Sequence, residues 1–453
     1  MTESELTRRW VLRGGAAAGA IALAGCIGDE DDDGDDTDDT GDDGEDELGR
    51  YEVWATDQGT NTIYVYEGTE GEDEFDLLEE IDTTEETDGF VPHMVHFTSD
   101  YEYAAVACTA GQRTLVYRTA DKELVGDIET GAGSHFAGFT PEDDAIIVDV
   151  IGESEIARID ADLENEEFDI DEVIEIDESI EGLTEQEGAP ICHSYDHNGR
   201  SLHTLGPSYN NAGLVVVDHE DFSVDTAVPG EELPTNCGTM PHPTEEKFYL
   251  TAGLPTPTDD EGEPIEGQEG VGDYYVLDTE DGATDIHHTD SSRGVDAHGF
   301  WFTPDGEELW VLNRETNDGV VIDPETDEVI EEIDAFGPNQ PEDPENTADR
   351  DAPDILWASP DGEWMFATLR GPAPLSGDPH AATGVTPGVS VLNTETKDIE
   401  TVLEPDPIED YSEEEIEAAQ ADEPDAPAIP DFHAVGVRPV GDWDIDVGTP
   451  PFN

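Results

Sequence analysis

The chain has almost no basic residues. Its 453 residues include 16 lysines and arginines against 117 aspartates and glutamates, for a formal net charge of −101. That balance argues against nucleic acid as a partner, because holding a phosphate backbone requires a basic surface. Also missing are a nucleophile elbow, a P-loop, a dinucleotide-binding fingerprint and a zinc-protease motif, which removes the enzyme classes recognisable from short motifs. The apolar run from Gly14 to Gly25 is too short to span a bilayer comfortably.

So large a charge repels itself strongly at low ionic strength. Roughly molar salt shortens the Debye length to about 3 Å and removes most of that repulsion. The composition is that of a salt-adapted, halophilic protein and resembles haloarchaeal sequences. An acidic disordered chain is excluded because the acids are interleaved with strand patterns and with 33 aromatic residues (7 Trp, 12 Tyr and 14 Phe), which supply a core.

Residues 1–26 read as a targeting segment. Thr7-Arg8-Arg9-Trp10-Val11-Leu12-Arg13, followed by the apolar run, resembles a twin-arginine signal, and Leu23-Ala24-Gly25-Cys26 resembles a lipobox. The resemblance implies cleavage before Cys26, lipidation of its thiol, and a protein anchored through lipid on the extracellular face of the cell membrane. Residues 27–49 are almost wholly Asp, Glu, Gly and Thr, an acidic disordered tether. The folded body is expected over residues 50–440, with a C-terminal tail at 441–453.

Within the body, a unit of four short strands recurs. Its clearest copy has strands at His298 to Phe302, Glu308 to Asn313, Val320 to Asp323 and Glu328 to Ile333, with a Thr-Pro-Asp-Gly turn after the first. Apolar and β-branched residues alternating between Pro, Gly and Asp turns predict a β-meander. One meander cannot bury both faces, so copies must stack. Other copies open at His93, His135, His193, Gly238 and Asp354; the chain starts at Tyr51 with three strands and no first one, and ends with a lone first strand, His433 to Val437. Joining the ends predicts an all-β, seven-bladed β-propeller, closed by pairing of the C-terminal strand with the N-terminal blade and lacking exposed sheet edges. Insertions at Pro255 to Gly272, Phe336 to Pro353, Pro372 to Gly388 and Pro405 to Pro430 should emerge on the face where first strands start. In the last, Ser412-Glu-Glu-Glu415 is a capping box that predicts a short acidic helix.

One position recurs four residues before the apolar residue that precedes each turn. It is His93 before Phe97, His135 before Phe139, His298 before Phe302, Asp354 before Ala358 and His433 before Val437. In the third copy a slip of register puts either Ile191 or His193 there, and Gly238 fills the place in the fourth. The fold would bring His93, His135, His193, His298, Asp354 and His433 around the mouth of a central channel. Imidazole nitrogens and a carboxylate on one axis suit copper, zinc or iron. The alternative is that these histidines are structural and hydrogen-bond the loops between blades. Cys192 and Cys237 each precede the aligned position in neighbouring blades, so they form either a disulfide between blades or soft ligands beside His193; Cys108 reads as a buried free thiol. Arg314 and Arg370 end second strands on the loop face, where they either hold an anionic ligand or pair with surplus carboxylates. The remaining histidines, including His96, His203 and His219, read as surface or packing residues, with His380 in its long loop as the exception.

At Thr326-Asp327, Thr394-Glu395-Thr396 and the Thr-Pro-Asp-Gly turns the chain resembles propellers with YVTN-type, lactonase-like repeats, over about Tyr51 to Pro439. No unit contains the Tyr-Val-Thr-Asn tetrapeptide itself, and Trp310-Val-Leu-Asn313 comes nearest. The placement of the histidines is similar to that in histidine-ring metal-binding propellers, among them nitrous oxide reductase and the selenium-binding-type thiol oxidases. The adjacent His-His pair expected of the former at His93 is missing, as is a following cupredoxin-like domain, so nitrous oxide reduction is not implied. What the resemblance implies is a monomer that binds a ligand, a transition metal or metal cofactor, at the channel mouth. A metal-dependent oxidoreductase or lactonase using the same ring is one alternative. A cell-surface scaffold for other surface or exported proteins is another. The charge balance itself predicts that the thermal midpoint falls steadily as KCl is lowered from molar to about 0.1 M, where the Debye length is about 10 Å; a midpoint independent of KCl would contradict salt adaptation.

Overall fold

The computed structural model describes residues 48–183, 188–206, 213–259, 262–280, 282–340, 349–441 and 443. The expected signal, most of the tether and most of the tail lie outside these residues. The chain divides into Met1–Leu48 and Gly49–Asn453, and every strand below belongs to the second unit.

Seven four-stranded antiparallel sheets form among the described residues. Blade 1 combines Phe432–Val440 with Arg50–Asp57, Thr62–Thr69 and Asp76–Asp82; the other blades are consecutive meanders whose inner strands are Pro92–Phe97, Ser134–Phe139, Ala189–Tyr195, Thr239–Pro241, Ala297–Phe302 and Pro353–Ala358, in blades 2 to 7. Each inner strand packs on those of the blades before and after it, which closes the ring. The register of the closure runs from Arg50 opposite Val440 to Asp57 opposite Phe432. The expected seven-bladed propeller, sealed by its C-terminal strand, is therefore the observed fold.

Local chemistry explains the turns. In Thr303-Pro-Asp-Gly306 the threonine hydroxyl donates to Asp305 at 2.7 Å and accepts from the Glu308 amide at 3.1 Å, while Gly306 takes φ +69°, a left-handed conformation that costs glycine little. Ser359 to Gly362 repeats the arrangement, with Gly362 at φ +74°. Burial then sorts the strands. The second strand of blade 3, Ala145–Val150, is buried throughout, whereas the outer strands Asp76–Asp82 and Glu167–Glu175 are almost wholly exposed and hold much of the acid. In all seven blades the pairing of third and fourth strands slips at mid-strand, as between Val65 and Tyr66 and between Val321 and Ile322. Such bulges twist the outer edge away from other chains, and its carboxylates repel them.

The insertions lie where the repeat places them, and Ser412 caps the helix Glu413–Gln420 with the expected reciprocal bonds to Glu415. Because the inner strand of blade 1 comes from the far end of the chain, truncation before Phe432 should expose the core around Trp54, Phe97 and Tyr64. We expect the truncated chain to lose its single cooperative unfolding transition in molar KCl, as followed by circular dichroism; unfolding indistinguishable from the intact chain would contradict closure by this strand.

Candidate metal centre

In six blades the pairing of inner and second strands slips near the start of the inner strand. The irregularities lie between Pro92 and Met94, Ser134 and Phe136, Pro190 and Cys192, Ala297 and Phe300, and Pro353 and Leu356, and in blade 1 around His433 and Ala434. A bulged residue leaves the ladder, and its side chain is re-aimed. The residues freed in this way include His93, His135, Ile191, His298, Asp354 and His433.

Five of these bring polar side chains together from five consecutive inner strands, in the spatial order His298, Asp354, His433, His93, His135. His93 and His135 meet with their Nε2 atoms 2.9 Å apart, and His433 stacks on His93 with ring centroids 3.6 Å apart. His298 Nε2 lies 2.8 Å from Asp354 Oδ1, and His433 Nε2 lies 3.9 Å from Asp354 Oδ2. Asp354 Oδ1 and His298 Nδ1 are buried and have no hydrogen-bond partner among the described residues.

His193 does not join them. With Ile191 at the bulge, His193 falls in register with Val95, Ala137, Phe300 and Leu356, which fill the cores between blades. Its ring accordingly points into the protein, where Nδ1 lies 2.6 Å from Asp149 Oδ2 and Nε2 lies 3.1 Å from Tyr195 Oη. Asp149 also meets His203 Nδ1 at 2.6 Å, so His203 is neither a surface nor a simple packing residue. The signal that points to this group is Asp149 itself, a carboxylate interrupting the apolar strand Ala145-Ile-Ile-Val-Asp-Val150.

Arg314 and Arg370 are both buried at the channel, with carboxylates as their partners. Arg314 Nε donates to Asp296 at 2.8 Å; Arg370 grips both oxygens of Asp431 at 2.8 Å and donates to Asp354 at 2.6 Å. Both guanidiniums are thus paired with carboxylates in the structure, and the contact with Arg370 orients Asp354. The insertion after Arg370 folds over this end: Ser376 Oγ lies 3.1 Å from Arg370 Nη2 and 3.0 Å from Gln58 Oε1, and the Leu375 amide donates to Asp431 at 2.8 Å. Gln58 in turn hydrogen-bonds His93 Nδ1.

Cys192 and Cys237 form a disulfide between the inner-strand regions of blades 4 and 5, with Cα atoms 5.3 Å apart. Cys192 Sγ lies 3.9 Å from the Nδ1 of His135 rather than beside His193. Cys108 is a buried free thiol, and burial pushes its pKa up. Among the described residues two groups of three side chains have ligand atoms all within 4.8 Å of one another: Asp149 with His193 and His203, and His135 with Cys192 and Cys237, whose sulfurs are taken up by the disulfide; His298, Asp354, His433, His93 and His135 approach one another in pairs.

Burial dominates the electrostatics. It depresses His93 and His433 well below the ordinary histidine range, with neighbouring imidazoles and Arg370 adding to the effect, and it lowers His135 to about 4. Asp354 would be raised by burial, but His433, His298, Arg314 and Arg370 hold it well below the usual carboxylate range. The centre therefore sets a carboxylate near His93, His135 and His433, whose imidazoles are neutral near pH 7 and each have a nitrogen lone pair to offer.

No protein-family model and no curated protein matches this chain. Among solved structures it is similar to a protein from Lactobacillus plantarum, with a TM-score of 0.58 and 10% identity over 86% of this chain and 100% of that one. It is also similar to hydrazine synthase of Kuenenia stuttgartiensis, with a TM-score of 0.50 and 10% identity over 78% of this chain and 89% of that one. At such identity the likeness is one of fold.

The buried histidines set a pH dependence. His96 is lowered to about 3 and His135 to about 4, each chiefly by burial, whereas unfolded histidine titrates near 6.5. Between those limits the unfolded chain binds protons that the folded chain refuses, so stability must fall as pH drops from about 6.5 toward 4. Urea unfolding of metal-free protein in molar KCl should show a lower midpoint at pH 5 than at pH 7.5, by on the order of 1 kcal/mol for each such histidine. An equal or higher midpoint at pH 5 would show that these rings are not buried neutral.

Proposed function

We propose that the protein is an exported, lipid-anchored, salt-adapted propeller that binds a transition metal ion at the mouth of its channel, through Asp354 and the imidazoles of His298, His433, His93 and His135. The observation that carries this reading is the buried Asp354 Oδ1, which faces His298 Nε2 at 2.8 Å without making a hydrogen bond. Arg314 Nη1 lies 3.5 Å from His298 Nε2 and 3.6 Å from Asp354 Oδ2 but leaves Asp354 Oδ1 unpaired, and a cation beside that oxygen would satisfy it. Bonds of about 2.0 to 2.1 Å meeting at a right angle put two ligand atoms about 2.9 Å apart, which is the spacing seen here and between His93 and His135. Copper, zinc and iron(II) all accept imidazole with carboxylate. The twin-arginine-like segment and Cys26 support export and anchoring, and the acidic composition supports a high-salt environment. The likeness to hydrazine synthase assigns no reaction to this chain.

One observation favours a scaffold with structural histidines instead. Gln58 Oε1 accepts from Arg370 and Ser376, so its amide nitrogen faces His93 Nδ1, and His93 can then donate from Nε2 to His135. Such a chain is complete without an ion. Elemental analysis after loading with copper, zinc or iron(II) in molar KCl separates the two. Metal binding predicts a bound equivalent that raises the melting temperature, and an affinity reduced at least about 100-fold in His298→Ala and in Asp354→Asn. No stoichiometric metal, with melting unchanged by any of the three ions, would leave the scaffold. Where metal binds, a redox-active visible spectrum would favour an oxidoreductase over lactone hydrolysis.

A further inference from the structure

Away from the channel, a second constellation lies between blades 3 and 4. Asp149 belongs to the second strand of blade 3, while His193 and His203 stand directly opposite each other on the first two strands of blade 4. All three are buried, with 0% to 1% of their surface exposed. Each Nδ1 lies 2.6 Å from a different oxygen of Asp149, and one ligand atom from each residue fits within 4.8 Å of the others. The far nitrogens are also held: His203 Nε2 lies 2.7 Å from Ser201 Oγ, and His193 Nε2 lies 3.1 Å from Tyr195 Oη.

Counting hydrogens gives the group two arrangements. Tyr195 has one hydroxyl hydrogen to share between the Gly138 carbonyl at 3.0 Å and His193 Nε2 at 3.1 Å. Given to His193, it lets Nδ1 carry the ring hydrogen and donate to Asp149, and the group is complete without an ion. Given to Gly138, it puts the hydrogen of a neutral His193 on Nε2, and the lone pair on Nδ1 then faces a carboxylate oxygen at 2.6 Å, where a positive charge must lie between them. A proton would create an imidazolium–carboxylate pair where water is excluded. A divalent ion would use both imidazoles and the carboxylate together, with Ser201 and Tyr195 orienting the rings from outside, as partners of metal-bound histidines do. Ser201, His203 and Asp149 also stand in the order of a nucleophile, base and orienting acid, but Ser201 is fully buried, so no substrate reaches it.

We propose that Asp149, His193 and His203 hold a zinc ion that pins blade 3 to blade 4. Two imidazoles and a carboxylate are ligands that zinc takes in tetrahedral sites. No residue is shared with the channel centre, so the two sites stand or fall separately.

The full-length chain, loaded with zinc in molar KCl and freed of excess, provides the test. The double variant His298→Ala/Asp354→Asn should keep one zinc equivalent, and His203→Gln in that background should lose it. Zinc-edge X-ray absorption of the double variant should show nitrogen and oxygen neighbours and no sulfur. The proposal is overturned if the double variant carries no zinc, if His203→Gln retains it, or if sulfur appears in the spectrum, which would move the ion to Cys192 and Cys237. Should His203→Gln fail to fold, His193→Gln in the same background takes its place, and a wild-type chain without zinc after loading overturns the proposal.

Discussion

A single extra residue near the start of six of the seven inner strands determines what the channel contains. In a regular ladder, side chains two residues apart share one face, and the residue two places on from each bulge fills the core between blades. The bulge breaks that alternation. It turns His93, His135, His298, Asp354 and His433 toward one another while Val95, Ala137, Phe300, Leu356 and Val435 stay in the core. Blade 4 shows the rule from the other side. Its bulge falls on Ile191, so its histidine takes the core position and must find buried polar partners, Asp149 and Tyr195.

Charge is divided between surface and interior in the same way. Among the described residues acids crowd the exposed outer strands, yet the centre of the ring is held by a few buried carboxylates matched to Arg314 and Arg370, two of only 16 basic residues in the chain. Removing one partner of a buried ion pair leaves the other uncompensated and costs several kcal/mol, roughly 3 to 5. These pairs therefore fix the position of Asp354 firmly.

The fold was legible because the repeat states its own register. Thr-Pro-Asp-Gly and Ser-Pro-Asp-Gly turns at equivalent places align the strands, and the orphan strand at His433 shows where the ring closes. Most of the channel cluster follows from that alignment alone. What the sequence does not display is the bulge, since the same letters read as a regular strand with or without it, and in the third copy that left Ile191 and His193 as equal candidates. The pairing of Asp149 with His203 is also invisible, because it joins strands of different blades that come together only when the ring has formed. Arg314 and Arg370 stood out by scarcity, but whether a guanidinium faces a ligand or a neighbouring carboxylate is settled by packing at distances of about 3 Å.

The central claim is that a metal ion is bound where the five inner strands converge. An anomalous difference map at the absorption edge of copper or zinc, from crystals loaded with that ion in molar KCl, tests this directly. Metal binding at the channel predicts a peak within about 2.2 Å of Asp354 and of at least two imidazole nitrogens from His298, His433, His93 and His135. A map with no peak at the channel, in crystals where those side chains are well ordered, would contradict it.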